Sequence, residues 1–429
     1  MASSDKFMLL LRLTLSLLCA IINGIDLSFN VYAVILKETF NFTQTQVEIT
    51  ASMSCVGFGL SFLEMLSTGY FGYSTTFVGT WILVTLSSGL FCMAAWHRTV
   101  FHYWPSLVYL IQLGMSTGGG VAYMVVTRVC LEVIPERHTG KFIGAFGSAI
   151  CFGKIFFAAL FEVFFHGDMA GFFLCLSIMF AVLLGLCYLA LYPVTINLPQ
   201  GTFNFSGHKD ITITSSGNVI RSPFFHMTFW TSIAVASAGY TVLNNITSIT
   251  DSIGNSDSFS IVTTMSVCIM VTRLTYGFVF DKVPTQACGF WLLYSAYFIF
   301  GAGLLLGMFY LTPATVYLHT VLAGFGVGPA LFLPLAMLVE EFGRQSYTFI
   351  SGAVWAGVAV LELSMQIMTG FFYDNISLDV GRTDNYCQGP KCFFFTFAVL
   401  LAIIVFSFVI QVINFVMYTR ARARERRVG

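Results

Sequence analysis

The sequence predicts an all-α membrane protein with twelve transmembrane helices in two six-helix bundles, and three observations carry that prediction. Of 429 residues, 57% are hydrophobic and only 9% are charged, with 46 Phe, a balance too poor in charge for a soluble core of this size. Apolar runs of membrane length, about 20 residues for a helix, recur along the whole chain. One polar stretch without apolar periodicity divides them into equal halves.

In order, the runs fall near 8–36, 47–71, 77–96, 105–133, 140–165 and 169–193, then near 224–250, 258–280, 286–310, 314–339, 346–373 and 393–418. The first has membrane-length flanks and no small-residue cleavage site, so it is expected to remain as a helix. Between the halves, Thr195 to Ser222 is rich in Gly, Ser, Thr and Asn and reads as a flexible connection. The expected organisation is therefore an N-terminal bundle over 1–194, a cytoplasmic linker over 195–222, a C-terminal bundle over 223–419 and a basic tail over 420–429.

Orientation follows from the basic residues. Assigning alternate loops collects Lys6, Arg137, Lys141, Lys209, Arg221, Lys282, Arg344 and the tail residues Arg420, Arg422, Arg424, Arg426 and Arg427 on one side, against Lys37, Arg98, Arg382 and Lys391 on the other. The positive-inside rule then makes both termini cytoplasmic. A plasma membrane is expected rather than that of an organelle. Cys387 and Cys392 share a polar loop on the outside, where a disulfide can persist. Cys19, Cys55, Cys92, Cys151 and Cys175 are scattered through apolar runs and suit small buried hydrophobes. The sequons Asn41-Phe-Thr43 and Asn375-Ile-Ser377 also fall outside, close to the membrane. The Arg-rich tail suits an orientation anchor or a contact for anionic lipid.

Ionisable residues within the spans are the functional candidates. The run from Thr139 to Phe165 carries Lys154 near its middle, where a charge costs roughly 2.5–3.5 kcal/mol on insertion scales and so faces a partner or a wet cavity. Its Phe142–Ala145 segment, FIGA, is echoed by FISGA at Phe349–Ala353. Aligning Gly144-Ala145 with Gly352-Ala353 places Lys154 opposite Glu362, so corresponding helices carry opposite charges. In the first span Asn23, Asp26 and Asn30 recur at helical spacing and share a face. A carboxyl in low dielectric can exchange a proton near neutral pH, which makes Asp26 a coupling candidate; the alternative is a fixed pair with a neighbouring helix. Glu162 and Arg128 lie near helix ends and read as interfacial. His97, His102 and His166 fall in short loops. Gly114, Gly118, Gly119 and Gly120, and Gly324, Gly326 and Gly328 with Pro329, read as sites of close helix packing and bending.

Enzymatic constellations are missing from the sequence. It contains no Walker sequence, no HExxH, no paired CxxC and no Ser with a His and an acid on one side of the membrane. The chain is therefore expected to be neither an enzyme nor an ATP-driven pump, and to need no cofactor or metal. A net charge of zero argues against a nucleic-acid partner.

After the eighth run stands Gly277-Phe-Val-Phe-Asp281-Lys282, which resembles the G-x-x-x-D-[RK] loop of the major facilitator superfamily. The first-half counterpart is Gly69-Tyr-Phe-Gly72-Tyr73, without the acid and the base. Within the superfamily the chain is similar to the nodulin-like, oxalate/formate and monocarboxylate transporter group. That similarity rests on Tyr32 to Phe40, YAVILKETF; on Arg273-Leu-Thr-Tyr-Gly277; on Glu340-Glu-Phe-Gly343-Arg344 with Tyr347; and on Cys387-Gln-Gly-Pro-Lys-Cys392-Phe393. The acidic-Gly-Gly-Trp start of animal monocarboxylate carriers is missing.

The resemblance implies two bundles around a central site that opens alternately to each side. It places Lys154 and Arg273 on spans that pack across the bundles, where two cations call for an anion, a carboxylate neighbour or deprotonation. Arg273 matches the usual contact for a substrate carboxylate, with pairing to Asp281 as the structural alternative. Asn23, Asn30 and Tyr32 complete the expected substrate contacts. Glu64 and Glu362, on the other cross-bundle pair of spans, are expected with Asp26 to couple protons or to gate, and Gly277, Asp281 and Lys282 to govern the conformational change. The expected partners are a small anionic solute such as pyruvate or lactate, protons and membrane lipid, for a monomer. The competing readings are a carrier of a neutral or cationic nutrient, or a transporter-like receptor without net flux.

Overall fold

The computed structural model describes residues 3–42, 44–135, 138–196, 219–255, 257–282, 286–379 and 387–428. The connection expected over 195–222 lies almost wholly outside the described residues, as do Thr43 of the first sequon and Arg137, Lys209 and Arg382 of the charge-sorting argument. Among the described residues, ten helices are long and apolar enough to cross a membrane. Two of the expected spans fall short for physical reasons. The apolar part of the second is only Ile49–Phe62, and the seventh is long but carries Ser, Thr and Asn throughout. The all-α membrane class stands.

The chain forms two compact units, Met1–Ser206 with Tyr347–Gln366, and Gly207–Ser346 with Ile367–Gly429. The first contains α1 (Ser3–Ile22), a 3-10 segment Asn23–Ser28, α2 (Phe29–Phe40), α3 (Gln44–Gly59), α4 (Leu63–Trp96), α5 (Arg98–Tyr103), α6 (Pro105–Val133), α7 (Thr139–Leu160) and α8 (Met169–Thr195). Two features break its regularity. In α4, Gly72 adopts φ 80° and ψ 164°, a conformation that glycine reaches without a Cβ penalty. The chain doubles back there: the hydroxyls of Ser67 and Thr76 lie 2.8 Å apart, whereas nine residues of straight helix would span about 13 Å. This reversal is the turn between the second and third spans.

The returning half of α4 pairs with α8 in antiparallel register. Ser74 Oγ meets Tyr188 Oη at 3.0 Å, Trp81 Nε1 donates to Ala181 O at 3.1 Å and Ser177 Oγ donates to Thr85 O at 3.0 Å. Phe91 and Phe173 stack at 4.3 Å between centroids, continuing the same register. Without a hydrophobic driving force between helices in lipid, such hydrogen bonds and tight contacts hold the bundle.

The second unit contains α9 (Pro223–Ser252), α10 (Ser258–Lys282), α11 (Gln286–Phe309), α12 (Val316–Phe342), the later part of α13 (Tyr347–Asp379) and α14 (Phe394–Val428). A buried polar network ties α14 to α9 and α11. Gln411 Nε2 donates to Thr231 Oγ1 at 2.5 Å, Asn414 Nδ2 to Thr228 Oγ1 at 3.0 Å, and Tyr294 Oη to the Gln411 carbonyl at 2.9 Å. Gln411 is wholly buried and Asn414 nearly so; in hydrocarbon, unpaired amides there would be costly, so the bonds fix the helix rotation. Cys387 and Cys392 are joined by a disulfide. Their loop is pinned by Gly389 N donating to Ser252 O and by Cys387 N donating to Tyr373 Oη.

Candidate functional site

In the first unit, two buried polar groups without a partner among the described residues lie where the first span crosses α7. Gly24 and Gly153 meet there so closely that a Cβ on Gly24 would lie 2.7 Å from Gly153 Cα. Only two glycines permit that approach, and it coincides with the tightening of the first span into the 3-10 segment Asn23–Ser28. Ser28 Oγ bridges the crossing, 3.0 Å from Gly24 O and 3.3 Å from the carbonyl of Lys154.

Lys154 follows Gly153 directly. Its side chain is 1% exposed and its Nζ has no hydrogen-bond partner among the described residues. Asn23, which precedes Gly24, is equally buried; its amide donates to Cys19 O at 2.7 Å, while its Oδ1 is without a partner among the described residues. A donor and an acceptor thus stand unsatisfied on either strand of one helix crossing. Native interiors pair the large majority of buried side-chain polar atoms, and an ionisable residue inside a membrane span marks a functional candidate.

The other expected residues of this span divide. Asp26 lies in the 3-10 segment and Asn30 in α2, but their side chains lie outside the described residues. Tyr32 is buried in an aromatic cluster, edge-on to Phe29 at 5.1 Å and to Phe173 at 5.4 Å.

Glu64 and Glu362 do not share a site in this structure. The first part of α13 runs antiparallel to the second span: Gly352 packs on Phe62, and Gly59 on Ala359, with Phe58 edge-on to Trp355 at 4.6 Å. This register puts Glu64 level with Tyr347 and Thr348. Glu362 comes 14 residues after Thr348, roughly 21 Å along the helix at 1.5 Å per residue. The antiparallel register separates two carboxylates that a parallel one would bring together. Nor does Lys154 pair with Glu362, although both are buried in the same unit.

What Glu64 does face is Arg128. Arg128 is 6% exposed, forms an ion pair with Glu132 one turn on, and lies against the Tyr73 hydroxyl, which Thr348 also borders. The reading of Arg128 as interfacial is thereby corrected: it is the buried centre of a polar cluster on α4, α6 and the start of α13. The sequence held one signal for it, the Gly69-Tyr-Phe-Gly72-Tyr73 motif, whose last residue reaches Arg128. A second residue not singled out is His319, wholly buried in the other unit, with Nδ1 2.7 Å from Gly303 O and its ring against Phe397.

In the second unit Arg273 is buried at 5% exposure in α10, one turn before Gly277 and two before Asp281 and Lys282, which end the helix. Asp281 neighbours Glu340 of α12. Tyr276 Oη lies 2.9 Å from Ser295 Oγ and ties this motif helix to α11.

A family model described as Major Facilitator Superfamily matches residues 16–363. Over 416 residues, 86% of this chain and 85% of the relative, the sequence is 22% identical to a protein of Yarrowia lipolytica described as "Probable transporter MCH1". Solved structures with a similar fold include the E. coli fucose:proton symporter FucP, with TM-score 0.60 at 14% identity over 94% of this chain and 98% of that one. The proton:xylose symporter XylE gives TM-score 0.70 at 13% identity over 94% and 95% of the two chains. The human organic anion transporter MFSD10 gives 0.64 at 10% identity over 94% and 99%. Likeness at these identities shows the fold.

Proposed function

Because the chain belongs to the major facilitator superfamily, we propose that it is a secondary transporter that carries a small organic anion, a monocarboxylate such as pyruvate or lactate, together with protons by alternating access. The observation that carries this reading is the Lys154 ammonium position: a fully buried amine in an apolar span with no protein partner for its Nζ among the described residues. A group held there without a partner is costly to the fold, and an anion is the ligand that offsets the cost. Asn23, on the helix that crosses α7 at Gly153, adds a buried Oδ1 acceptor without a partner among the described residues. Arg273, buried in the other unit, offers the planar fork that a carboxylate accepts in bidentate fashion. For protons, Asp26 and Glu362 are the proposed carriers on the transport route. Glu64 is better suited to gating, since its neighbour is Arg128.

Proteoliposomes containing the full chain test this directly. Labelled pyruvate, lactate and an uncharged sugar are offered with and without an inward proton gradient. Uptake of a monocarboxylate that the gradient accelerates, lost in Lys154→Gln, supports the reading. Transport of the sugar with every monocarboxylate excluded would overturn it and favour the neutral-nutrient alternative.

A further inference from the structure

The last helix, α14, runs well past its apolar portion and ends in the arginine series Arg420, Arg422 and Arg424. These arginines do not all face the same way. Phe406, Val409, Ile413 and Met417 are exposed apolar residues, 67%, 49%, 46% and 45% accessible. They recur at steps of three and four residues and so form one ridge of the helix. Arg420 and Arg424, both exposed, continue the same ridge at the next two steps, and at 100° per residue all six positions fall within an arc of roughly 80°. The face of α14 that meets lipid tails therefore becomes cationic where its apolar run ends.

Arg422 behaves differently, and it fixes the rotation. It lies about half a turn away from Ile413, where its Nη2 makes a fork with Glu341 at 3.1 and 3.2 Å and its guanidinium sits 5.4 Å from the Tyr418 ring centroid. Tyr418 Oη also reaches Glu341 at 3.3 Å. One arginine is thus tied to the protein on α12, which holds the opposite face outward. Arg420 and Arg424 have no ion pair among the described residues, and like charges one helical turn apart oppose each other. A bridging anion removes that opposition.

We propose that Arg420 and Arg424 form a binding surface for the phosphate groups of anionic phospholipids, in the leaflet where α14 leaves the membrane, with the Arg422–Glu341 clamp setting its orientation. The guanidinium fork matches a phosphate, the ridge places both arginines at headgroup depth on the lipid-facing side, and the tails of the same lipids would lie along Met417 and Ile413.

The test uses the full chain in vesicles of phosphatidylcholine mixed with phosphatidylserine, and spin-labelled forms of each lipid. The readout is the share of each label that is motionally restricted by the protein. The wild type should restrict phosphatidylserine preferentially, and added salt should reduce the preference. In Arg420→Gln/Arg424→Gln the preference should fall, at roughly fivefold per arginine and so up to about thirtyfold in local association for the pair. Protease access to the tail should be unchanged. Equal restriction of both lipids by the wild type, or an undiminished preference in the double variant, overturns the proposal. A tail that changes sides in the variant also overturns it, because the arginines would then be orientation anchors.

Discussion

Replacing Lys154 by Met separates what the fold gains from what the function needs. The two side chains have similar length and volume, so packing is nearly conserved, and only the amine is lost. In the structure that amine is 1% exposed with no hydrogen-bond partner among the described residues. An ionisable group so placed costs roughly 2.5–3.5 kcal/mol on insertion scales, and a methionine avoids most of that cost. Lys154→Met should therefore be more stable than the wild type, by about 2–3 kcal/mol. The measurement is thermal unfolding of both proteins in the same detergent, followed by the loss of monodisperse protein in size-exclusion chromatography. The same variant should lose gradient-driven anion uptake in proteoliposomes. A lower unfolding temperature than the wild type would refute the reasoning, since it would mean that a partner holds the ammonium and that the buried charge contributes to stability. A stabilised variant with undiminished uptake would instead remove Lys154 from the substrate path while leaving its physical description intact.

Three further outcomes follow from the packing. Gly153→Val should sharply reduce folded yield, because any Cβ there meets the backbone of Ile21, whereas Gly79→Ala, whose Cβ would meet nothing within 4 Å, should be neutral or stabilising by up to about 1 kcal/mol through helix propensity; comparing monodisperse yields checks both. Gln411→Leu removes the bonds from Gln411 to Thr231 and from Asn414 to Gln411 and should cost about 1–3 kcal/mol in thermal unfolding, while Gln411→Glu, which keeps an acceptor but not the donor, should not restore it. Arg128→Gln should be more destabilising than Glu64→Gln, because it removes both the ion pair with Glu132 and a cation that acts on buried Glu64; a double-mutant cycle with Glu64 should return a coupling of roughly 0.5–3 kcal/mol.

The spans were legible because membrane length imposes a simple rule on composition, and the long runs of α6, α7, α8 and α12 match it closely. Interruptions inside them were harder to read. The 3-10 segment Asn23–Ser28 is not legible although Asn23-Gly24 is a turn dipeptide: inside an apolar run the pair reads as part of one continuous helix, and the tightening coincides with the approach of Gly153 from a distant part of the chain. Lys154 stands out by charge alone, since an amine in the middle of an apolar run needs no knowledge of its neighbours. Glu64 and Glu362 were not separable in this way. Whether two helical residues meet depends on the direction and register of the packed pair, and for α3 and α13 that register is set by small contacts such as Gly59 on Ala359, which leave no mark on either residue's own surroundings in the sequence.

Tyr73 shows how a departure from a motif carries structural information. In the second half of the chain Gly277 is followed four residues later by Asp281; at the same spacing after Gly69 stands Tyr73, a neutral phenol. A tyrosine contributes a hydroxyl to Arg128 but no charge. Arg128 is 6% exposed, so its charge calls for a partner inside the protein. Glu132, one turn away on the same helix, balances it locally, and Glu64 faces it from α4. The loss of the acid from the loop and the presence of a buried acid inside the second span are therefore linked: the negative charge lies some nine residues earlier in the chain, at a point where the reversal at Gly72 brings it back to the same arginine. Because Tyr347 and Thr348 of α13 border this cluster, the start of that helix rests on a buried polar group, and a rearrangement that moves it must first separate hydroxyl contacts rather than a direct salt bridge.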